Sequence, residues 1–226
     1  MDRYQRNMNA LSPEENQKLK DFHVVVVGCG GLGGYIIEML ARLGIGTLTV
    51  IDGDVFDETN LNRQLLSSEP NIGKPKVQAA VERISLVNSL VKVNPIHGLL
   101  TAENGLAMIS DTDLVFDALD NVSSRLILET LCETAGVPLV HGAIAGWFGQ
   151  VAVVLPGDQT LHGILPEGVD KGIETELGNP AFTPALVASI EVAEGVKVLL
   201  GREGILRHKL LTIDLLNQEY EVLSLS

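Results

Sequence analysis

The sequence predicts an α/β protein, a mainly parallel sheet with helices on both faces and antiparallel strands added in the C-terminal part. Three observations carry this. Short apolar runs alternate with amphipathic helical stretches as far as Gly146, the pattern of βαβ winding. The first apolar run feeds directly into a glycine cluster, "GCGGLGG". Beyond Gly146 the alternation gives way to strand-like segments, "GQVAVVLP" and "HKLLTIDLLNQEYEVLSL", joined through loops and one long helical stretch.

Each element has a local reason. Residues 24–27 are four valines, the composition of a strand buried on both faces. Residues 32–43 place Ile36, Ile37, Leu40 and Leu43 at helical spacing. "TLTVID" is a second strand, and "KPKVQAAVERISLVN" a helix with Pro75 in its first turn, where a missing N–H costs little. "VKVNPI", "LVFDAL" and "PLVHGA" read as further strands, separated by helical segments over 102–109 and 123–135. A Gly/Pro-rich segment spans 156–184, followed by the helix "PALVASIEVAEGVKVLLG". There is no internal repeat, low-complexity tract or linker, so residues 1–226 read as a single Rossmann-like domain.

Composition narrows the function classes. A chain of 226 residues, 46% hydrophobic and 20% charged, can bury a sizeable core. Its longest apolar run is too short to cross a bilayer, and "MDRYQRNMNALSPEENQKLK" lacks the apolar centre of a signal peptide. The expected location is the cytoplasm, with no membrane partner. A formal net charge of −13 repels a phosphate backbone, so nucleic acid is not expected as a partner. Cys29 and Cys132 form no C-x-x-C pair, so no zinc site of the usual kind is expected, and both read as small buried thiols.

The glycine cluster contains G-x-G-x-x-G at Gly28, Gly30 and Gly33 between a strand and a helix, a geometry that cradles phosphate with free N–H groups and the helix dipole. Asp52 ends the second strand about 20 residues beyond the cluster, where a carboxylate accepts hydrogen bonds from an adenosine ribose. These two features serve NAD, FAD and ATP equally. The following loop, "GDVFDETNLNRQLLSSEPNIGKPK", carries Asn60, Arg63, Lys74 and Lys76 in an otherwise acidic chain. Cations beside a phosphate cradle suit a triphosphate, because attack on the α-phosphate needs the charge on its oxygens and on departing pyrophosphate neutralised. Asp117 and Asp120 fall at the carboxyl end of the strand "LVFDAL", where open α/β sheets bind ligands and a carboxylate can hold Mg²⁺. Asn121 also reads as the N-cap of the next helix, which starts near Ser123; a ligand at Asp120 and a cap at Asn121 are compatible.

The order "RYQR", "GCGGLGG", "DGD", "NLNRQ", "GKPK", "DALDN" resembles the ThiF/MoeB/HesA family, relatives of the ubiquitin-activating enzymes, from Arg3 to about Leu200. The resemblance implies an ATP-dependent adenylyltransferase that activates the C-terminal glycine carboxylate of a small ubiquitin-fold sulfur carrier ending in Gly-Gly, with release of pyrophosphate. It implies that Gly28, Gly30, Gly31 and Gly33 take the nucleotide and Asp52 the ribose. Asn60, Arg63 and Lys76 contact the phosphates, Gln64 supports their loop, and Asp120 holds Mg²⁺ with Asn121 beside it. Arg6 reaches into a neighbouring subunit's site, which implies a homodimer.

The sequence also departs from the family. Members that move sulfur carry two zinc-binding C-x-x-C pairs, and many have a cysteine in the crossover loop. Here "LHGILPEG" stands in the first pair's place, residues 158–183 contain no cysteine, and the C-terminus has none. His162 reads as a lone histidine on a surface loop, and a thioester or persulfide relay through the crossover loop is not expected. Leu119 stands where a small or hydroxyl residue is commoner. Three alternatives stay open: an NAD- or FAD-dependent oxidoreductase on the same fold, a tRNA-modifying dehydratase of the same family (disfavoured by the charge of −13), and a non-catalytic carrier-binding partner.

Overall fold

In the computed structural model, which describes residues 2–165 and 174–225, the strands run β1 (His23–Val27), β2 (Thr47–Asp52), β3 (Lys92–His97), β4 (Leu114–Asp117), β5 (Leu139–Ala145), β6 (Phe148–Val154), β7 (Lys209–Asp214) and β8 (Glu219–Ser224). They form one sheet of order β3-β2-β1-β4-β5-β6-β7-β8. The first five are parallel; β6, β7 and β8 are added antiparallel through the β5–β6 and β7–β8 hairpins. The order reverses at β1, with β2 on one side and β4 on the other. That reversal opens a crevice at the carboxyl ends of β1 and β4.

Helices α2 (Gly31–Leu43), α3 (Lys76–Val87) and α8 (Phe182–Leu200) cover one face, and α4 (Gly105–Ile109) and α5 (Val122–Ala135) the other. The valine run of β1 serves both: Val24 and Val26 join the core under α2 and α8, while Val25 and Val27 join the core under α5. This is why the segment shows no polar alternation. Helix α2 ends at Gly44, whose φ of +91° closes the turn.

The observed elements match those expected, with local corrections. Pro75 is the N-cap of α3 rather than a residue of its first turn. The helix expected over 102–109 begins only at Gly105, and β4 ends at Asp117, so the residues up to Asp120 are loop. The polar N-terminus is ordered: a 3₁₀ helix spans Asp2–Asn7, and α1 (Pro13–Lys18) starts with a Ser12–Glu15 capping box. Tyr4 is buried against Gly44, and its hydroxyl accepts a 2.8 Å bond from Asn88 Nδ2.

The Gly/Pro-rich segment contains α6 (Thr160–Ile164) and α7 (Glu174–Leu177). Residues 166–173 lie outside the described residues, so "LHGILPEG" is described only as far as Leu165. His162 is not on a loop: it lies in α6, where its Nδ1 and its backbone N–H both meet Glu129 Oε2, at 2.5 and 3.0 Å. The Leu161 N–H bonds the other oxygen of Glu129 at 2.6 Å. A buried carboxylate from α5 thus satisfies N–H groups at the start of α6, and the histidine follows it.

Candidate active site

Gly28, Cys29 and Gly30 turn the chain from the end of β1 into α2. At Gly28, with φ of +102°, an added Cβ would lie 2.4 Å from Ala118 O; at Gly33 it would lie 1.8 Å from Gly28 O. These two glycines let the loop close onto the end of β4 and let α2 close onto the loop. Gly30 and Gly31 differ. A Cβ at Gly30 would sit in ordinary van der Waals contact with Gln64, and one at Gly31 with Pro184, both at 3.7 Å, so no close approach demands glycine at these two half-buried positions at the positive end of a thirteen-residue helix.

Asp52 binds this loop to the end of β2. Its Oδ2 accepts the Cys29 N–H at 2.7 Å and its Oδ1 the Asp54 N–H at 2.8 Å. A carboxylate has lone pairs beyond these two bonds, so Asp52 both shapes the loop and keeps acceptor capacity for a ribose. Lys76, at the first turn of α3, is buried, with Nζ 2.9 Å from Asp54 Oδ2 and 4.0 Å from Asp52 Oδ2. Lys74, two residues earlier, turns instead to Glu82 at 2.7 Å, so the two lysines of "GKPK" separate.

Asn60 closes a capping box with Asp57, and its backbone oxygen accepts the N–H groups of Arg63 and Gln64. Arg63 is half-buried and bonds Thr59 O and Asn62 Oδ1 through the same nitrogen. Gln64 is buried beside Gly30, and its Oε1 has no partner among the described residues.

At the end of β4 the two aspartates part. Asp117 is fully buried and pairs with His141 Nδ1 at 2.7 Å. Asp120 is exposed, three residues on, bonded by Asn121 Nδ2 at 3.3 Å. Asn121 also caps α5, its Oδ1 accepting the Ser124 N–H at 2.8 Å. The structure thus brings the glycine loop, Asp52, Lys76, Gln64 and the Asp120 loop to one edge of the sheet. Arg6 stands apart. Tyr4 fastens its 3₁₀ helix at Gly44, the far end of α2 from the glycine loop, about 20 Å away at 1.5 Å per residue.

Sequence reasoning missed a buried network behind Asp117. His141 on β5 joins Gln150 on β6 through Nε2 at 3.1 Å and Asp117 through Nδ1 at 2.7 Å. Arg125 on α5 donates to Leu119 O at 2.6 Å with Nε 3.7 Å from Asp117 Oδ2. Glu191 on α8 is wholly buried over Gly142, and neither of its oxygens has a partner among the described residues. Burial drives its carboxyl well above the usual carboxylate range, Asp117 adds to the shift and Arg125 opposes it. The histidine in "PLVHGA" was the one available signal, since His is rare in an otherwise apolar strand.

Both cysteines are buried and free. Burial, then the Asp52 charge, pushes the Cys29 thiol well up; burial, then Asp117 and Glu129, pushes Cys132 up to about 12. Neither is a thiolate at neutral pH.

A glycine loop opening a helix at the switch point of a doubly wound sheet, with an acidic residue closing the second strand, defines a nucleotide-binding protein of the Rossmann class. The chain belongs to the ThiF family, whose model matches residues 4–226. It is 37% identical over 237 residues to a sulfur carrier protein adenylyltransferase of Thermus thermophilus, covering 99% of this chain and 87% of that one. It is 34% identical over 226 residues to a SAMP-activating enzyme E1 of Haloferax volcanii, covering 98% and 84%. With the molybdopterin-synthase adenylyltransferase of Escherichia coli the identity is 33% over 206 residues, covering 88% and 82%. Among solved structures, Escherichia coli MccB with MccA-N7isoASN superposes with a TM-score of 0.85 at 23% identity, over 99% of this chain and 71% of that one. PaaA superposes with a TM-score of 0.82 at 21% identity, over 100% and 82%. At such identities the likeness is one of fold.

Proposed function

We propose that the chain is an ATP-dependent adenylyltransferase that activates the C-terminal glycine carboxylate of a small ubiquitin-like sulfur carrier as an acyl-adenylate, releasing pyrophosphate. The observation that carries this reading is the convergence of the glycine loop at the N-terminus of α2, a buried cation at Lys76 and a carboxylate at Asp120 at the carboxyl ends of the central strands. The names of the relatives in Thermus thermophilus, Haloferax volcanii and Escherichia coli support it.

The reaction asks for positioning and charge neutralisation. A C-terminal carboxylate is ionised at neutral pH, so the nucleophile needs no general base. One carboxylate oxygen bonds to the α-phosphorus as the bond from that phosphorus to the bridging oxygen breaks, and the electron pair leaves with pyrophosphate. The N–H groups of Gly30 and Gly31 and the α2 dipole receive the phosphates, and Asp52 takes the ribose. Lys76 and Arg63 offset the charge on pyrophosphate, and Lys76 exchanges Asp54 for a phosphate oxygen. Asp120, exposed and with lone pairs to spare, suits Mg²⁺, which supplies further neutralisation at the phosphate oxygens.

The same reading treats residues 1–226 as one adenylation domain working as a homodimer in the cytoplasm, without zinc. Support for the dimer comes from Arg6, which is exposed and sits at the far end of α2 from its own glycine loop. The test is ATP–pyrophosphate exchange by the purified protein with Mg-ATP and a Gly-Gly-ending carrier. Reduction of a nicotinamide without exchange, across several carriers, would overturn the reading.

A further inference from the structure

Three backbone groups that lead into the loop carrying Asp120 are tied down. The Ala118 N–H bonds Val27 O at 2.9 Å, which anchors the loop to the end of β1. The Leu119 N–H bonds Asp117 Oδ1 at 3.0 Å, and the Leu119 C=O accepts from Arg125 Nη2 at 2.6 Å. Asp117 and Arg125 are themselves neighbours, 3.7 Å apart through Oδ2 and Nε. The two side chains therefore hold the peptides on both sides of Leu119, and between them there is an electrostatic contact rather than a hydrogen bond. His141 and Gln150 hold Asp117 from behind, one atom at a time along the chain Gln150, His141, Asp117.

Asp117 and His141 are fully buried and Arg125 and Gln150 partly so, whereas Asp120, one residue beyond the grip, is exposed. A buried ion pair of this kind is weak evidence for stability, because desolvation offsets much of the attraction. What it does supply is geometry. A metal-binding carboxylate on a loop needs a backbone held to a fraction of an ångström, and this loop has no secondary structure to hold it.

We propose that Arg125, together with Asp117, is a positioning residue for Asp120: it fixes the peptide before that carboxylate so that Asp120 meets the magnesium–triphosphate in one orientation. This rests on the adenylation reading for the role of Asp120. Arginine suits this place because its Nη2 reaches the Leu119 carbonyl while its charge lies beside Asp117, with Nε 3.7 Å from Oδ2 and without a hydrogen-bond partner among the described residues. A lysine ammonium keeps the charge near Asp117 but not the planar guanidinium whose Nη2 donates to this carbonyl.

The test uses the full-length protein and two readouts. Binding of ATP is measured by calorimetry with Mg²⁺ and with EDTA, and ATP–pyrophosphate exchange is measured with a carrier. In Arg125→Lys, which keeps the charge beside Asp117, we expect metal-free ATP affinity and the KM for ATP to stay within about threefold. The gain in affinity on adding Mg²⁺ should shrink, and kcat should fall by tenfold or more. In an Asp120→Ala background, Arg125→Lys should cause no further loss, since a positioning residue has nothing left to position. A wild-type magnesium gain and kcat in Arg125→Lys, or an equal fold-loss in both backgrounds, overturns the proposal. If the unaltered protein shows no exchange, that counts against the adenylation reading, and the calorimetric cycle alone decides the positioning role.

Discussion

Lys76 and Asp54 form an ion pair at 2.9 Å in which the lysine side chain is 8% exposed and the aspartate 69%. The cation is the buried partner, so its neutraliser faces solvent, where a phosphate can take over the contact. Lys76→Ala should lower exchange activity by about 100-fold, the usual cost of losing one charge-stabilising group at a transferring centre. Asp54→Asn should cost less, because Asp52 remains 4.0 Å from the ammonium. Equal losses in the two variants would show that Asp54 acts on the nucleotide rather than on the lysine.

The thiols should be chemically silent. With Cys29 pushed well up and Cys132 at about 12, neither supplies thiolate at pH 8. Iodoacetamide should label neither in the folded protein and both in urea, and Cys29→Ala and Cys132→Ala should each keep adenylate formation. A carrier thioester lost only in Cys132→Ala would contradict this. With no cysteine pair, the purified protein should hold no stoichiometric zinc by elemental analysis, and EDTA should leave its thermal unfolding unchanged.

Glu191 makes stability depend on pH with a definite sign. Its folded pKa is raised above the unfolded value of roughly 4.3, by burial first and then by Asp117 on β4, with Arg125 on α5 opposing and His141 on β5 beside Asp117. A raised carboxyl favours the folded state most below the unfolded pKa and loses that advantage as pH climbs toward the folded pKa. Glu191→Gln removes the loss. Its Tm relative to the unaltered protein should be smallest near pH 4 and rise steadily to pH 8. A difference that stays flat with pH would mean that Glu191 is ionised in the folded protein.

Arg6 can be tested in trans. Arg6→Ala and Asp120→Ala homodimers should each be nearly inactive. When the two exchange subunits at random, half the dimers are mixed, and each mixed dimer holds one site with both residues intact. Roughly a quarter of full activity should return. If mixed dimers form and nothing returns, Arg6 serves its own chain, against its placement at the far end of α2.

The parts of this protein legible in its sequence are those that contiguous backbone can build. The valine run, the glycine loop and the start of α2 need only neighbouring residues, because a strand, a tight turn and a helix N-terminus are local structures. Asp52 was legible for the same reason, since it ends the next strand and parallel winding puts it beside the first. Helix and strand periodicity likewise placed the strands and the long helices, with errors at ends such as Pro75 and Gly105, while the short helices α1, α6 and α7 carry too few turns for it to show.

Only the tertiary structure could decide which charges face the site. Lys74 and Lys76 are two residues apart in one motif, yet the start of α3 turns one to Glu82 and buries the other beside Asp52. Asp117 and Asp120 share a strand end, and the strand's last pleat sends the first inward to His141 while the loop leaves the second in solvent. His162 looked like a free surface histidine until α5 brought Glu129 to the start of α6. In each case the partner comes from another element, and which elements adjoin depends on the strand order and the burial of whole faces. A side chain's own sequence neighbourhood contains neither.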